Sequence, residues 1–191
     1  MFKDLVRKNR SYRRFDQSFK IEDNTLYELI ELARMTPSAN NMQPLKYMLS
    51  VNPKRNEKIF SCLSWAAHLE WNGPEEGEKP TGYIIILCDT AVKEDAGCDH
   101  GIVSQTIMLG AVERGLGGCI IASIKRERLR HLLNIPERYK ILLVLALGKP
   151  AEQVVLETVG DDGDTRYWRD ANEVHHVPKR SLEELIIEAG D

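Results

Sequence analysis

The chain has 191 residues, of which 42% are hydrophobic and 29% are charged, a balance that predicts one globular domain, residues 1–191, rather than a disordered segment. The formal net charge of -3 argues against the broad basic surface that nucleic-acid binding requires. The four cysteines are scattered without a paired ligand spacing, which favours reduced thiols in a cytoplasmic protein. The N-terminus has no apolar signal core, and no apolar run is long enough for a membrane span, so neither is expected.

The first predicted elements are two helices. Apolar residues at positions 2, 5 and 6 indicate a short opening helix that runs into the basic stretch RKNRSYRRF. Asp23 or Asn24 can cap a second helix, whose apolar residues follow the i, i+3, i+4, i+7 pattern of one buried stripe. Pro37 ends this helix, so the stretch TPSANNMQP forms a corner before the predicted strand KYMLSV.

Two continuous apolar runs predict the centre of a sheet. YIIILCD and KILLVLALG are bounded by turn residues, as expected of neighbouring strands that are buried on both faces. Between them, GIVSQTIMLGAVERGLGG predicts an apolar helix closed by glycines, with Gly117 and Gly118 in a tight turn before the short strand CIIAS. The residues from Lys125 to Asn134 predict a polar helix.

Two segments carry little core of their own. WAAHLEWNGPEEGEKP is rich in turn formers, and its Trp65 and Trp71 either close over a site or anchor the loop by burial. In the tail, Ser181 and Glu184 can form a capping box for a final amphipathic helix with apolar positions 182, 185, 186 and 189. The preceding VLETVGDDGDTRYWRDANEVHHVP predicts a tail that wraps over the body of the protein or over a partner subunit.

Two basic groups and one neutral corner are the candidates for ligand binding. Arg10, Arg13 and Arg14 lie within five positions, and guanidinium groups bind phosphate, although a solvated basic surface also explains them. Lys179 and Arg180 could converge on the same anion. The corner TPSANNMQP offers hydroxyl, amide and backbone groups without an ionisable side chain, which suits either a capped turn or the edge of a neutral heterocycle.

Two other clusters favour structural roles. Cys98, Asp99 and His100 have no second ligand pair elsewhere, so a buried thiol beside polar helix-start residues is expected rather than a metal site. His175 and His176 would alternate faces in an extended segment, which predicts an ordinary pair at a sheet edge.

Three motifs taken in order carry a family resemblance. RSYRRF near the N-terminus, PSANNMQP further on and GLGGCIIAS in the second half resemble the nitroreductase family of flavin mononucleotide (FMN) oxidoreductases. The resemblance covers nearly the whole chain. It implies an α+β fold with a central, mostly antiparallel sheet flanked by helices. It also implies an intertwined homodimer with FMN at the subunit interface and a C-terminal segment exchanged onto the partner, for which EVHHV is the candidate strand.

The resemblance also implies which residues contact the cofactor. Arg10 and Ser11 would hold the phosphate and ribityl chain, and Arg13 would lie near the pyrimidine side of the flavin and tune it. No residue is expected to be a catalytic nucleophile or a metal ligand, because the chemistry would take place at flavin N5. The other cofactor-binding residues implied are Pro37, Ser38, Ala39, Asn41 and Gln43 along the ring, Ile121, Ala122 and Ser123 on the N5 side, and Lys179 and Arg180 at the phosphate.

The implied function is an FMN-dependent oxidoreductase that uses NADH or NADPH to reduce nitroaromatics, quinones or related acceptors by ping-pong hydride transfer. Two alternatives use the same fold. One is a specialised flavin enzyme that fragments reduced flavin or removes halogen from an aromatic, and the other is a flavin-binding protein without turnover. Many family members have an aromatic residue after QP where this chain has Leu45, which leaves the acceptor open.

Overall fold

The computed structural model describes residues 1–188, which form two compact units. The first unit comprises Met1–Trp65 and Asn72–Ala151. The second unit comprises Ala66–Trp71 and the chain from Glu152 onward. Among the described residues, no helix has the length and apolar character needed to cross a bilayer.

The helices of the first unit follow the apolar periodicity of the sequence. Of the predicted α2 stripe, Leu26, Leu29 and Ala33 are buried, as expected for one face of an amphipathic helix. Pro53 begins α3, where the Asn52 side chain accepts a hydrogen bond from the Arg55 amide. The helices are α1 (Phe2–Lys8), α2 (Asp23–Arg34), a 3-10 helix (Ala39–Asn41), α3 (Pro53–Phe60), α4 (Asp99–Glu113) and α5 (Arg126–Leu133).

A four-stranded antiparallel sheet forms the centre of the first unit. Its strands are β1 (Leu45–Ser50), β2 (Gly82–Asp89), β3 (Gly117–Ile121) and β4 (Tyr139–Gly148), in the order β1-β2-β4-β3. The two apolar runs therefore form the central strands β2 and β4, as predicted, and every residue of β2 is buried. The predicted α+β class with an antiparallel sheet is confirmed.

Helices α2 and α4 cover the sheet with apolar side chains. Leu29 of α2 and Ile107 of α4 are fully buried in the same cluster as Ile84 of β2 and Leu145 of β4. Fully burying one such side chain stabilises the fold by about 1.5–3 kcal/mol. This cluster fixes α4 on the sheet, and α4 in turn supports the site described below.

One irregularity interrupts the pairing of β2 with β4. Ile86 pairs with Leu143 and Leu87 pairs with Ile141, so Leu142 is the extra residue of a β-bulge. A bulge leaves the backbone groups of its extra residue without a ladder partner. The Leu142 carbonyl is therefore free to take a donor from elsewhere in the fold.

The prediction of a tight turn at Gly117 and Gly118 is wrong, because both glycines lie within β3. The turn is made at Gly115, which has a φ of 71°. A Cβ on Gly118 would lie 2.3 Å from the Ala146 carbonyl oxygen, and one on Gly117 would lie 2.5 Å from the Tyr12 ring. These two glycines therefore allow close approach of neighbouring groups to β3.

The second unit has its own small sheet. Its strands are β5 (Val154–Thr158), β6 (Trp168–Arg169) and β7 (His175–Lys179), in the order β5-β7-β6. The predicted sheet-edge position of the two histidines is wrong, because β7 is the middle strand, parallel to β5 and antiparallel to β6. The candidate exchanged strand EVHHV thus pairs within its own chain, since both of its edges meet strands of the tail.

His176 of β7 is enclosed by acidic and aromatic neighbours. Its Nδ1 bonds the Glu157 carboxylate, its Nε2 lies 3.5 Å from Asp170 Oδ2, and its ring stacks on Trp168 at 4.0 Å between centroids. The hydrogen bond with Glu157 raises the pKa of His176, partial burial opposes the rise, and Asp170 adds to it. The imidazolium form is therefore favoured in the folded unit.

The segment Ala66–Trp71 joins the second unit through two aromatic contacts. The Arg169 guanidinium lies 4.4 Å above the Trp71 ring, and the His68 ring meets Tyr167 edge-on at 5.0 Å. Arg169 also forms a buried ion pair with Glu152 at 3.0 Å. Six residues of the predicted loop are thus packed with the C-terminal tail.

Up to residue 188, the last helical segment of the tail is a single turn rather than the predicted amphipathic helix. The capping box is confirmed, because Ser181 and Glu184 exchange side-chain and backbone hydrogen bonds at the start of α6 (Leu182–Leu185). Ile186 adopts an extended conformation and stops the helix. The predicted apolar position at Ala189 lies outside the described residues.

Candidate functional site

The structure brings together two of the three sequence motifs. The Tyr12 amide donates to the Gly118 carbonyl at 3.0 Å, and Ser11 pairs with Gly118 in a parallel bridge. The N-terminal basic stretch therefore runs beside β3, inside the glycine-rich motif. Because Gly118 has no side chain, the two backbones can approach this closely.

The three arginines of the N-terminal motif each contact a different acceptor. Arg14 forms an ion pair with Glu78 at 3.3 Å, and Arg13 Nη1 donates to the Ser11 carbonyl at 3.1 Å. Arg10 Nη2 donates to the Val6 carbonyl at 2.8 Å, while its buried Nε has no hydrogen-bond partner within residues 1–188. Arg10 itself is only partly buried, but an unsatisfied buried Nε–H is costly, so Arg10 retains capacity for an anionic ligand.

The corner TPSANNMQP is a rigid turn with strained backbone. Asn40, Asn41 and Gln43 have φ values of 51°, 54° and 50°, in the left-handed region that asparagine tolerates better than most residues. The Gln43 Nε2 group donates to the Asn41 carbonyl at 3.2 Å and to its side-chain oxygen at 3.1 Å. The exposed amides of the corner are thereby oriented before any ligand binds.

Asp99 anchors this corner, and the sequence did not single it out for that role. Ser38 Oγ donates to Asp99 Oδ2 at 2.6 Å, and the Ala39 amide donates to Oδ1 at 3.0 Å. Ser38 Oγ also accepts from the Gln43 amide at 2.9 Å. Burial would raise the pKa of Asp99, but the Ser38 and Ala39 hydrogen bonds together leave that pKa lowered. An acidic residue in the first turn of α4 was the available sequence signal.

The thiol next to Asp99 is not buried, contrary to prediction. Cys98 is exposed at the start of α4. Within residues 1–188, no group of three or more His, Cys, Asp or Glu side chains is placed to hold a metal ion. The Cys98 to His100 stretch thus contributes the anchoring carboxylate of Asp99.

A pocket of about 200 Å³ lies beside the corner. Ser38, Gln43, Tyr47 and Asp99 are among the residues that line it. Burial raises the pKa of Tyr47 to about 12, with the nearby Asp99 carboxylate adding to the effect. The phenol therefore stays protonated at neutral pH and can donate a hydrogen bond.

The segment after β3 is fixed on one side and open on the other. Ile121 is buried, whereas Ala122 and Ser123 are exposed. The Ser64 amide donates to the Ser123 carbonyl at 3.0 Å, and Arg126 Nη2 donates to the Ala122 carbonyl at 3.1 Å. This contact could not be predicted from the sequence, because Arg126 has the character of a surface charge on the polar helix α5.

Helix α4 supports both the corner and the N-terminal motif. Asp99 binds the corner, Gln105 accepts from the Asn9 side chain at 3.3 Å, and Met108 packs against Gly118. At a rise of 1.5 Å per residue, about 14 Å of helix separates Asp99 from Met108. The first unit therefore positions both groups on one rigid element.

The remaining predicted residues lie elsewhere in their units. Trp65 is buried in the first unit, where its ring packs 5.7 Å from Phe60, so this tryptophan anchors the loop by burial. In the second unit, Lys179 ends β7 and Arg180 Nη1 donates to Glu184 at 3.2 Å. The convergence of these two cations with the N-terminal arginines stays a prediction.

Known proteins of one family resemble this chain in sequence and in fold. The sequence pattern of the Nitroreductase family matches residues 6–73 and 93–149. A curated relative from Methanothermobacter thermautotrophicus, named "Putative NADH dehydrogenase/NAD(P)H nitroreductase", is 28% identical over 156 residues, covering 78% of this chain and 77% of the relative. The crystal structure of a nitroreductase family protein from Streptococcus pneumoniae superposes with a TM-score of 0.70 at 17% identity, covering 85% of this chain and 96% of that one. An FMN-dependent nitroreductase from Clostridium difficile gives a TM-score of 0.65 at 19% identity, with coverages of 83% and 91%.

The fold and the site together define an α+β protein with an antiparallel sheet, the neutral corner TPSANNMQP and the basic N-terminal stretch RKNRSYRRF. The matched pattern spans more than half of the chain and includes all three motifs of the first unit. The chain belongs to the nitroreductase family.

Proposed function

We propose that this protein is an FMN-dependent oxidoreductase that takes electrons from NADH or NADPH and passes them to nitroaromatics, quinones or related planar acceptors. The observation that carries the proposal is the pairing of Ser11 and Tyr12 with Gly118, which unites two motifs of the family beside a free guanidinium donor. The names of the relatives, which include NAD(P)H nitroreductases and an FMN-dependent enzyme, support the choice of cofactor and electron donor.

The residues present fit FMN in two respects. Arg10 Nε is a buried donor without a partner among the described residues, as expected of a phosphate ligand before the phosphate binds. The corner offers oriented amide groups and no charge, which matches the neutral, hydrogen-bonding edge of a flavin ring. In this proposal Arg10 and Ser11 hold the phosphate and ribityl chain, while Pro37, Ser38, Ala39, Asn41 and Gln43 line the ring.

The protein's own part in the reaction is to position and to tune. Bound FMN would supply the hydride-accepting and electron-donating chemistry. Arg13 would place a cation near the pyrimidine side of the ring, where it favours negative charge and eases reduction. Ile121, Ala122 and Ser123 would bring backbone groups to the N5 side, and Lys179 and Arg180 would add charge at the phosphate. Exchange of nicotinamide for acceptor at one open site would give ping-pong kinetics.

We also propose that the two units act as one FMN-binding domain and that the protein is a homodimer with an exchanged C-terminal segment. Two features support exchange. Strand β1 lies at an edge of its sheet, and Leu182, Leu185 and Ile187 in the tail are exposed apolar side chains. Unpaired edges and exposed apolar side chains are both commonly covered by a partner subunit.

The test is an anaerobic visible spectrum of the purified protein reconstituted with FMN, recorded before and after NADH or NADPH is added. We expect a bound-flavin band that bleaches on addition of the donor and returns when menadione is supplied. Sustained turnover would exclude a flavin-binding protein without activity. If gel filtration removes the flavin completely from the protein, the proposed function is wrong.

A further inference from the structure

We propose that Arg126 is a positioning residue that aims the Ser123 backbone N–H at the N5 side of the bound flavin. The inference rests on the proposed function and adds a residue that none of the three motifs contains. It starts from the three hydrogen bonds of one guanidinium group at the first position of α5.

Arg126 links two neighbouring strands where their ladder has ended. Its Nε donates to the Ile141 carbonyl at 3.0 Å, and its Nη2 donates to the Leu142 carbonyl at 3.2 Å. Leu142 is the extra residue of the bulge in β4, so its backbone lacks a partner on β2. The same Nη2 donates to the Ala122 carbonyl at 3.1 Å, beyond the last paired residue of β3. The guanidinium thus ties the peptide after β3 to a fixed point on the central sheet.

The carbonyl that Arg126 holds belongs to the same peptide unit as the Ser123 N–H. Peptide bonds in the described chain are trans, so the carbonyl and N–H of one unit point in opposite directions. Fixing the Ala122 oxygen toward Arg126 therefore turns the Ser123 N–H to the opposite side. Within residues 1–188 no acceptor meets this N–H, and Ser123 is exposed.

Two further contacts prevent this peptide from rotating. The Ser123 carbonyl accepts from the Ser64 amide at 3.0 Å, and the Lys125 amide donates to the Cys62 carbonyl at 2.8 Å. The residue between them, Ile124, forms a bridge with Leu63. With its flanking groups held, the unpaired Ser123 N–H is a preorganised donor.

The charge of Arg126 also strengthens the donor. A cation bound to a carbonyl polarises the whole peptide unit, because linked hydrogen bonds reinforce one another. The Ser123 proton therefore becomes more positive and a better partner for a ring nitrogen that is about to accept a hydride. Preorganised donors of this kind act mainly on the rate of the chemical step.

The experiment compares Arg126→Gln with Arg130→Gln. Arg130 is a matched control, because its guanidinium also donates to backbone carbonyls, at Ile135, Pro136 and Tyr139, but does not contact Ala122. The readouts are the Ser123 amide resonance of the apoprotein, the N5 resonance of ¹⁵N-labelled FMN bound to the protein, and the rate of flavin reduction by NADH.

We expect Arg126→Gln to move the Ser123 amide proton upfield in the apoprotein and to shift the bound N5 resonance toward its value without a hydrogen bond. We also expect flavin reduction to slow by about 10- to 100-fold, whereas Arg130→Gln leaves all three readouts at their wild-type values. If the N5 resonance of Arg126→Gln equals that of the wild type, the inference is overturned.

If the wild-type protein binds no FMN, the proposed function has failed, and an unchanged Ser123 amide shift in the apoprotein of the variant would still overturn the positioning role. If Arg126→Gln does not fold, Arg126→Lys replaces it, because an ammonium group can reach only part of the three-carbonyl set. An intermediate N5 shift then supports the inference, and a wild-type shift refutes it.

Discussion

Removing the Asp99 carboxylate should loosen the corner that we propose as the flavin edge. Asp99 is 3% exposed and accepts two hydrogen bonds, from Ser38 Oγ and the Ala39 amide. A hydrogen bond to a charged group contributes about 1.5–3 kcal/mol, and an unsatisfied buried donor is costly to leave. We therefore expect Asp99→Ala to lower the free energy of unfolding by about 3–5 kcal/mol.

The conservative variant Asp99→Asn should be milder. Its side-chain oxygen can still accept from the Ala39 amide, so we expect a loss of about 1–2 kcal/mol. The two variants can be compared by urea unfolding at pH 7, with amide exchange at Ala39 as a local readout. Asp95→Asn is the control, because Asp95 is an exposed carboxylate in the preceding loop whose hydrogen bond within residues 1–188 is a local one, from the Gly97 amide.

The pH dependence gives a second check on the same interaction. Because the folded pKa of Asp99 is lowered, its stabilisation is present above the unfolded value of about 3.9 and is lost as the pH falls through the folded pKa. Asp99→Asn should lack this loss below pH 4. A cost below about 1 kcal/mol for Asp99→Ala, or an equal cost for Asp95→Asn, would refute the anchoring role.

Three further predictions can be measured. If Arg13 lies near the pyrimidine side of the flavin, as proposed, Arg13→Gln should lower the midpoint potential of bound FMN while FMN is still retained; spectroelectrochemistry measures this, and an unchanged potential would place the cation away from the ring. Gly118→Ala should cost about 3 kcal/mol in urea unfolding, because its Cβ would lie 2.3 Å from the Ala146 oxygen, and a neutral effect would contradict this close approach. His176 has a raised pKa, so its stabilisation of β7 is fully present below about pH 6.5 and is lost as the pH rises through the folded pKa. Amide exchange in β7, measured against pH in the wild type and in His176→Gln, checks this loss. Identical pH profiles in the two proteins would exclude a contribution from His176.

Local patterns were sufficient to predict the frame of the first unit. The continuous apolar runs identified β2 and β4 because a strand buried on both faces needs apolar residues at every position. The stripe of α2 and the end of that helix before Pro37 were also correct, since both depend on periodicity and on backbone sterics.

What the sequence could not supply were contacts between distant groups. Asp99 and Ser38 are far apart along the chain, and an acidic residue at a helix start is explained equally well by the helix dipole. Gly118 was predicted to be a turn residue. The sequence alone does not distinguish a glycine that is needed for close approach of a neighbouring group from one that is needed for a positive φ. His175 and His176 lie in a central strand because β5 and β6 pair with β7 on either side, which the sequence of β7 itself does not encode.

The packing of Ala66–Trp71 with the C-terminal tail affects how the chain can fold during synthesis. About 80 residues separate Trp71 from the start of its partner segment at Glu152. At about 5–20 residues per second, the ribosome takes roughly 4–16 s to reach Glu152, and Arg169 is added later still. Until then the Trp71 ring lacks the Arg169 guanidinium that covers it in the finished structure. The second unit is therefore completed only after translation of the tail, and a chain stopped at Ala151 would leave these six residues without their packing partners.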